Sequence, residues 1–252
     1  MQIGLIGAGN MASALARGFG EPAIVADVVH EKAEALAAEL GGEAVASNAE
    51  VAERADALFL CHKPGQLDEV AQSTHGKAKA VVSILGGVRL EDVERAYPQV
   101  PVYRFLPSIP AEVREGVCCY APGRHAAQGP EREVVELFER VGTVVRVDEP
   151  LIEPAMALMS CGPAFLALVA EAMVDAGVRH GLQPGDASLM AVETMAGTAA
   201  MLRASGHDTA GLRRRVTSPG GSTARGLEAL ERAGVRAAFY DAVGAVVEGG
   251  KR

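Results

Sequence analysis

Short apolar runs alternate with amphipathic stretches over the first 150 residues of the chain. Apolar runs of this length, bounded by Gly, Pro or charged residues, are typical of buried strands, and the stretches between them have helical periodicity. The predicted strands are residues 2–6, 23–26, 43–46, 57–60, 80–84, 102–105, 117–120 and 143–147. The predicted helices are residues 13–18, 31–40, 48–54, 66–74, 90–97 and 130–141. This alternation predicts an α/β fold with a Rossmann-type doubly wound, mostly parallel sheet.

The pattern changes near residue 150, where strand-like runs stop and helical patterns rich in Ala, Met and Leu begin. The predicted helices are residues 154–181, 184–204, 209–216, 224–233 and 235–248. We expect a kink at Gly162-Pro163, because proline has no N–H for the helical hydrogen bond, and we expect Asp208 to be an N-cap. The predicted domains are therefore residues 1–150, which bind a dinucleotide, and residues 151–252, which are all-helical.

The predicted C-terminal helices are apolar on more than one face. A helix that is apolar all round has to be buried, and roughly a hundred residues cannot enclose that much apolar surface alone. The sequence therefore predicts an intertwined homodimer formed through these helices.

The segment Gly7-Ala8-Gly9-Asn10-Met11-Ala12 directly follows the first predicted strand, with the spacing Gly-x-Gly-x-x-Ala. In a dinucleotide-binding turn the first glycine permits the bend, the second lets backbone approach a pyrophosphate, and the third small residue lets helix and strand pack closely. A helix N-terminus also favours phosphates. We predict that the coenzyme site includes Gly7, Ala8, Gly9, Asn10 and Met11. An ordinary tight turn is the alternative.

Asp27 lies 20 residues beyond Gly7, at the end of the second predicted strand. An acid at this position suits the ribose 2′-hydroxyl of NAD and repels the 2′-phosphate of NADP, unless an arginine nearby compensates. No arginine occurs in residues 28–31. The sequence therefore favours NAD(H) and leaves NADP(H) open, and a helix or turn cap is the alternative role for Asp27.

Composition excludes several other classes of function. The chain has 252 residues, 49% of them hydrophobic, and a formal net charge of −8. This acidic balance, without a basic stripe, argues against a nucleic-acid partner. The longest uncharged run, residues 154–170, is short for a membrane span, so we expect no membrane partner. The four cysteines have no disulfide-framework spacing, the six histidines have no metal-ligand spacing, and we expect a cytoplasmic protein without a metal site.

A second glycine-rich loop, Thr217-Ser218-Pro219-Gly220-Gly221-Ser222-Thr223, enters a predicted helix with hydroxyl groups on both sides of its glycines. Small residues let a ligand approach the backbone, and the helix N-terminus and hydroxyls favour a carboxylate. The alternative is that Ser222 or Thr223 only caps the helix. Physical reasoning alone does not decide between these two interpretations.

Residues 216–230, Val-Thr-Ser-Pro-Gly-Gly-Ser-Thr-Ala-Arg-Gly-Leu-Glu-Ala-Leu, closely resemble the signature of the pyrroline-5-carboxylate reductase family. Ser160-Cys161-Gly162-Pro163-Ala164-Phe165 and the segment at residues 175–182 also resemble this family, and the resemblance covers nearly the whole chain. It implies reduction of 1-pyrroline-5-carboxylate to L-proline with NADPH or NADH. It also implies an interlocked dimer, and the dimers of this family often assemble into decamers.

The resemblance implies roles for particular residues. Hydride passes from the nicotinamide to the C=N carbon, and Thr223 hydrogen-bonds the ring nitrogen. The catalytic residues are then Thr223 and Lys63. The substrate carboxylate is expected on Ser218 and on the N–H groups of Gly220, Gly221 and Ser222, so that these four residues and Thr223 form the substrate site. The coenzyme is expected beside His62, Lys63, Pro64 and Pro107, in addition to the glycine-rich turn and Asp27.

The chain departs from the family pattern at residues 159–161, at Ser108-Ile109 and at Cys61-His62. These departures keep two alternatives open: a reductase of another cyclic imine acid, and a non-catalytic nucleotide-binding relative. A β-hydroxyacid dehydrogenase would need a lysine on the helical domain, and no lysine occurs between Lys79 and Lys251.

Overall fold

The computed structural model describes residues 1–249, which form eight strands and twelve α-helices. The strands are β1 (Ile3–Ile6), β2 (Ala23–Ala26), β3 (Glu43–Ala44), β4 (Ala57–Leu60), β5 (Val81–Ser83), β6 (Val102–Pro107), β7 (Gly116–Pro122) and β8 (Gly142–Arg146). The helices are α1 (Asn10–Phe19), α2 (His30–Leu40), α3 (Asn48–Arg54), α4 (Leu67–Ser73), α5 (Leu90–Ala96), α6 (Glu131–Glu139), α7 (Ile152–Met159), α8 (Gly162–Arg179), α9 (Pro184–Ala204), α10 (Thr209–Arg215), α11 (Ser222–Arg232) and α12 (Val235–Gly249).

The strands form one sheet in the order β3-β2-β1-β4-β5-β6-β7-β8. All neighbouring strands pair in parallel except β6 and β7, which pair antiparallel. The direction in which strands are added to the sheet reverses between β1 and β4: β2 and β3 lie on one side of β1, and β4 to β8 lie on the other. In doubly wound sheets ligands bind outside the carboxyl ends of the strands at such a reversal. The predicted mostly parallel, doubly wound fold is confirmed.

The sheet lies between two layers of helices, because successive residues of each buried strand point to opposite faces. One core contains Leu5 and Phe59 from the strands and the buried sides of α1, α2 and α6. The other contains Ile6 and Leu60 and the buried sides of α3, α4, α5 and α7. In the first core Phe138 of α6 stacks on Phe105 of β6, with ring centroids 4.0 Å apart. These two cores fix the strand ends on which the candidate site is built.

The chain divides into two compact units, residues Met1–Ser160 and the residues from Cys161 onward. The predicted boundary near residue 150 lies at the 3-10 turn Glu149–Leu151, which precedes α7. Helix α7 packs against β7 and therefore lies in the first unit. The second unit consists of α8 to α12, with α8 packed against α9.

Two of the predicted elements that differ from the structure contain a proline. The predicted kinked helix over residues 154–181 is two helices, α7 and α8, separated at Ser160 and Cys161. Pro163 lies in the first turn of α8, where its missing N–H costs no helical hydrogen bond, so it begins a helix and does not bend one. The strand predicted over residues 102–105 extends to Pro107, which pairs with Cys118 as the last residue of β6.

The helices of the second unit carry large apolar side chains that this unit does not bury. Leu168 of α8 is 65% exposed, Leu189 of α9 is 63% exposed and Tyr240 of α12 is 77% exposed. Within residues 1–249, the stretch Glu149–Arg179 is the one helical segment whose length and composition would allow it to cross a membrane. Length and composition alone are weak evidence of a membrane span.

Candidate functional site

The glycine-rich turn is held in place by close packing between three strand ends. Gly7 follows β1 with a φ of 104°, a conformation that favours glycine, and its N–H donates a 2.8 Å hydrogen bond to the Ala26 carbonyl oxygen of β2. A Cβ atom on Gly7 would lie 2.7 Å from the carbonyl carbon and oxygen of Cys61, which follows β4. Only glycine fits here. Because Gly7 has no side chain, the ends of β1, β2 and β4 can lie close together.

Helix α1 begins earlier than predicted, at Asn10, so Asn10, Met11 and Ala12 form its first turn. Gly9 is the N-cap, and the first helical hydrogen bond runs from the Ser13 N–H to the Gly9 carbonyl oxygen. The N–H groups of this first turn therefore have no helical acceptor. Gly9 has an ordinary φ of −75°, and a Cβ atom on it would meet no atom within 4 Å. The fold itself does not require glycine at this position, and the open space beside it is where a pyrophosphate would approach the helix.

Asp27 joins the turn to the next loop. One carboxylate oxygen accepts a 2.7 Å hydrogen bond from the Ala8 N–H, and the other accepts a 2.8 Å bond from the Val29 N–H. This geometry fits the alternative interpretation of Asp27 as a turn cap. It also leaves lone pairs on both oxygens for a ribose hydroxyl, since each carboxylate oxygen can accept two hydrogen bonds. The two roles are therefore compatible.

A cleft of about 480 Å³ lies along these strand ends. Its lining includes these predicted site residues: Gly7, Gly9, Asp27, His62, Lys63 and Pro64. Asn10 lies on the other side of α1, in a separate depression, and Met11 packs against the core. Pro107 ends β6, two strands beyond β4, and does not line this cleft.

Two side chains of the cleft are held in their neutral forms. The Nδ1 atom of His62 lies 2.9 Å from the Lys63 carbonyl oxygen, which can only accept, so Nδ1 carries the proton. The Nε2 atom is buried and has no hydrogen-bond partner within residues 1–249. Burial lowers the pKa of His62 and raises the pKa of the Cys61 thiol to about 12. Neither group is therefore prepared for acid–base or nucleophilic chemistry near neutral pH.

In the second unit, residues 217–223 connect α10 to α11. The Thr217 hydroxyl donates to the Arg213 carbonyl oxygen at 2.6 Å, which anchors the start of this loop to the end of α10. Gly220 has a φ of 69°. This positive φ favours glycine at position 220, whereas Gly221 has an ordinary φ of −72° and a Cβ atom on it would lie 2.4 Å from the Ser218 Oγ atom, which would have to rotate away.

The structure contradicts the alternative in which Ser222 or Thr223 caps α11. The N-cap is Gly221, which has no side chain, and the helix begins at Ser222, two residues earlier than predicted. The hydroxyls of Ser218 and Thr223 have no hydrogen-bond partner among the described residues. The Gly221 N–H was expected to donate to the substrate carboxylate. It already donates to the Ser218 carbonyl oxygen at 3.0 Å, within the turn, and is therefore not free for a ligand.

Helices α1 and α11, each of which follows one of the two glycine-rich loops, share an electrostatic feature. Seven of the twelve helices within residues 1–249 carry an Asp or Glu in the first turn, which compensates the positive end of the helix dipole. Neither α1 nor α11 has an acidic residue there or a side-chain cap. Both ends therefore keep free N–H groups and uncompensated positive potential, which suits an anionic ligand.

Comparison with known proteins identifies the family. Residues 149–252 match the family described as pyrroline-5-carboxylate reductase dimerisation, and residues 2–87 match the family described as NADP oxidoreductase, coenzyme F420-dependent. The pyrroline-5-carboxylate reductase of Methanosarcina acetivorans is 37% identical, over 96% of this chain and 94% of that protein. This chain belongs to the pyrroline-5-carboxylate reductase family.

Solved structures agree with membership of the pyrroline-5-carboxylate reductase family. The reductase from Coxiella burnetii matches with a TM-score of 0.91 and 28% identity, over 99% of this chain and 97% of that one. The reductase from Plasmodium falciparum, solved with NADP bound, matches with a TM-score of 0.85 and 26% identity, over 100% of this chain and 97% of that one. The chain is accordingly an oxidoreductase with a nicotinamide coenzyme, a small-molecule substrate and an oligomeric assembly. No group of three or more His, Cys, Asp or Glu side chains within residues 1–249 could hold a metal ion.

Sequence reasoning missed four charged or polar residues of the cleft, Lys32, Asn48, Gln66 and Glu69. Lys32 lies in the first turn of α2, five residues after Asp27. Its ammonium group is a cation in the lining of the same cleft as Asp27, whose carboxylate is expected to repel a 2′-phosphate. Lys32 lies one residue beyond the 28–31 segment, which contains no arginine, and a lysine can also compensate the charge of a 2′-phosphate.

The contrast between Gly7 and Gly9 gives a direct test of the coenzyme site. We expect Gly9→Ala to weaken coenzyme binding by about tenfold or more, because its methyl group occupies the open space beside the free N–H groups. Its unfolding midpoint should stay near that of the unaltered protein. Gly7→Ala should lower the unfolding midpoint, because its backbone would be strained and its Cβ would meet the Cys61 peptide. Fluorescence titration with NADH and thermal unfolding measure the two effects, and unchanged NADH affinity in Gly9→Ala would contradict this placement.

Proposed function

We propose that this chain reduces 1-pyrroline-5-carboxylate to L-proline with a reduced nicotinamide coenzyme. The observation that carries the proposal is the 217–223 loop at the start of α11, within the region that matches the reductase dimerisation family. Its unpartnered hydroxyls and free helical N–H groups suit a small carboxylate. In the proposed reaction, hydride adds to the carbon of a protonated C=N bond, the coenzyme is oxidised, and the nitrogen keeps its proton as a secondary amine.

We further propose a division of roles between the two units. The first unit holds the coenzyme through the Gly7–Gly9 turn, Asp27 and the His62-Lys63-Pro64 loop, with Pro107 retained as a predicted coenzyme residue. Lys63 lines the cleft with an exposed side chain, and its charge would favour the anionic coenzyme. The second unit holds the substrate.

The substrate carboxylate would bind the Ser218 hydroxyl and the N–H groups of Gly220 and Ser222. The Thr223 hydroxyl would accept or donate a hydrogen bond at the ring nitrogen. A protonated imine is already electrophilic, so orientation and charge placement supply most of the proposed catalysis. This mechanism needs no nucleophile, in agreement with the protonated Cys61 thiol.

A second candidate function is reduction of another cyclic imine acid, and one observation favours keeping it. At the break before α8 the chain has Met159-Ser160-Cys161, where the family usually has Ser-Gly-Ser. The Ser160 Oγ atom is buried and has no hydrogen-bond partner within residues 1–249.

We propose that the coenzyme is NADH. Both Asp27 oxygens are already fixed by backbone N–H groups, so the carboxylate is held ready for the ribose hydroxyls of NAD. Lys32 lines the same cleft and opposes this preference, because its positive charge would attract the 2′-phosphate of NADP. The balance between these two side chains sets the proposed preference.

We propose a homodimer formed through the C-terminal helices, with a decamer of five such dimers as its larger assembly, in the cytoplasm. The support is the match to a dimerisation family together with the exposed leucines of α8 and α9. Burying them against a second copy would remove a large apolar surface from water. The same burial accounts for the apolar composition of Glu149–Arg179.

The catalytic proposal is tested by turnover and by Thr223→Ala. The purified protein should oxidise NADH when 1-pyrroline-5-carboxylate is supplied. Thr223→Ala should lower kcat by about tenfold to a hundredfold, because the lost hydroxyl contacts the reacting nitrogen, while NADH affinity stays within about twofold. Thr223→Ser, which keeps a hydroxyl, is the matched control. A collapse of NADH affinity with unchanged kcat would contradict the role given to Thr223.

The coenzyme proposal is tested by two substitutions in the cleft. Asp27→Asn removes the charge and keeps an acceptor, and it should shift the ratio of NADH to NADPH affinities toward NADPH by about tenfold. Lys32→Ala should shift the ratio toward NADH by weakening NADPH binding. Dissociation constants for both coenzymes measure these shifts, and a ratio that neither substitution changes would remove both side chains from the ribose site.

The oligomer proposal is tested by Leu168→Glu. A buried, unpaired carboxylate in an apolar interface is costly, so this change should shift the protein from dimer or larger toward monomer in sedimentation velocity. Val28→Glu is the control, because Val28 is also exposed but lies outside the dimerisation region. A Leu168→Glu protein that sediments like the control would contradict burial of this helix face.

A further inference from the structure

Arg225 reaches from the first turns of α11 back to the 217–223 loop. Its Nη1 donates a 2.9 Å hydrogen bond to the Gly220 carbonyl oxygen. Its Nη2 lies 3.4 Å from the Ser222 Oγ atom and donates a longer bond to it. One guanidinium group therefore connects the left-handed glycine of the loop to the first residue of the helix.

The loop needs such a contact because its two glycines provide no side chains of their own. Glycine loses more conformational freedom on ordering than any other residue. The turn is closed by the bond from the Gly221 N–H to the Ser218 carbonyl oxygen, and its start is anchored by Thr217. Arg225 adds the contacts that fix the other end of the loop, at Gly220 and Ser222.

These contacts also make the loop more favourable for a carboxylate. The Gly220 carbonyl oxygen is engaged by a cation, which reduces the repulsion that it would exert on a carboxylate at the neighbouring N–H groups. The Ser222 Oγ atom accepts from Arg225, so the hydroxyl hydrogen remains free to be donated to a ligand. The guanidinium charge adds to the positive helix end, where the first turn has no acidic residue.

We infer that Arg225 is a positioning residue for the substrate carboxylate. It holds the Gly220 carbonyl oxygen and the Ser222 hydroxyl so that N–H and O–H groups face the carboxylate. This inference rests on the proposed function for the identity of the substrate. The claim that Arg225 orders the loop rests on hydrogen bonds within the second unit alone.

Steady-state kinetics test the role in binding, with Arg225→Ala, Arg225→Lys and Arg232→Ala in the full-length chain. Arg232 is the matched control, because it is an exposed arginine of the same helix and pairs with Glu228 at 2.8 Å, away from the loop. Arg225→Ala should raise the KM for 1-pyrroline-5-carboxylate by about tenfold, with kcat and the KM for NADH within about threefold of the unaltered protein. Arg225→Lys should recover part of the loss, because lysine keeps the charge without the planar fork. Equal substrate KM values in Arg225→Ala and Arg232→Ala would overturn the inference.

Hydrogen–deuterium exchange tests the loop contact without turnover. The amides of residues 217–223 should exchange about tenfold faster in Arg225→Ala than in Arg232→Ala. Equal exchange in these two variants would overturn the positioning role. If the unaltered protein does not turn over 1-pyrroline-5-carboxylate, the proposed function is wrong, and exchange alone decides whether Arg225 orders the loop.

Discussion

The Cys61 peptide lies so close to Gly7 that no side chain fits between them, and the rest of the cleft at the ends of β1, β2 and β4 depends on this contact. It brings the end of β4 against the turn that follows β1, while the Gly7 N–H bonds the end of β2. Asp27 then binds the Ala8 N–H of the same turn, so three strand ends and one helix start form a single hydrogen-bonded unit. The cleft is therefore shaped by the packing of the sheet and not by loops that order independently.

The same arrangement occurs at the start of α1 in the first unit and at the start of α11 in the second unit. In both units a glycine is the N-cap, the helix has no acidic first turn, and the first N–H groups are left for a ligand. A helix end in this state is electrostatically suited to an anion, and the proposed ligands, a pyrophosphate and a carboxylate, are both anions. Positive potential from helix ends and a few side chains also explains how a chain of net charge −8 can bind a negatively charged coenzyme.

The sequence predicted the sheet and most helix positions, because buried strands are short apolar runs and the glycine-rich turn has a spacing that its chemistry requires. It placed the start of α11 too late, since a serine and a threonine after two glycines resemble a continuing loop as much as a first helical turn. It expected a kink at Pro163, where the same residue can equally begin a helix. Lys32 could have been predicted from the sequence, because it follows Asp27 by only five residues. Arg225 could not, because its contacts depend on a long side chain folding back over its own helix.

The measurement that tests the account most directly is the fate of the hydride. The purified protein would be given NADH carrying two deuterium atoms at C4 of the nicotinamide, together with 1-pyrroline-5-carboxylate, and the product would be analysed by mass spectrometry and NMR. The account predicts L-proline with one deuterium, bound to C5, the carbon of the former C=N bond. Proline without deuterium, or clear coenzyme binding with no proline formed, would contradict it.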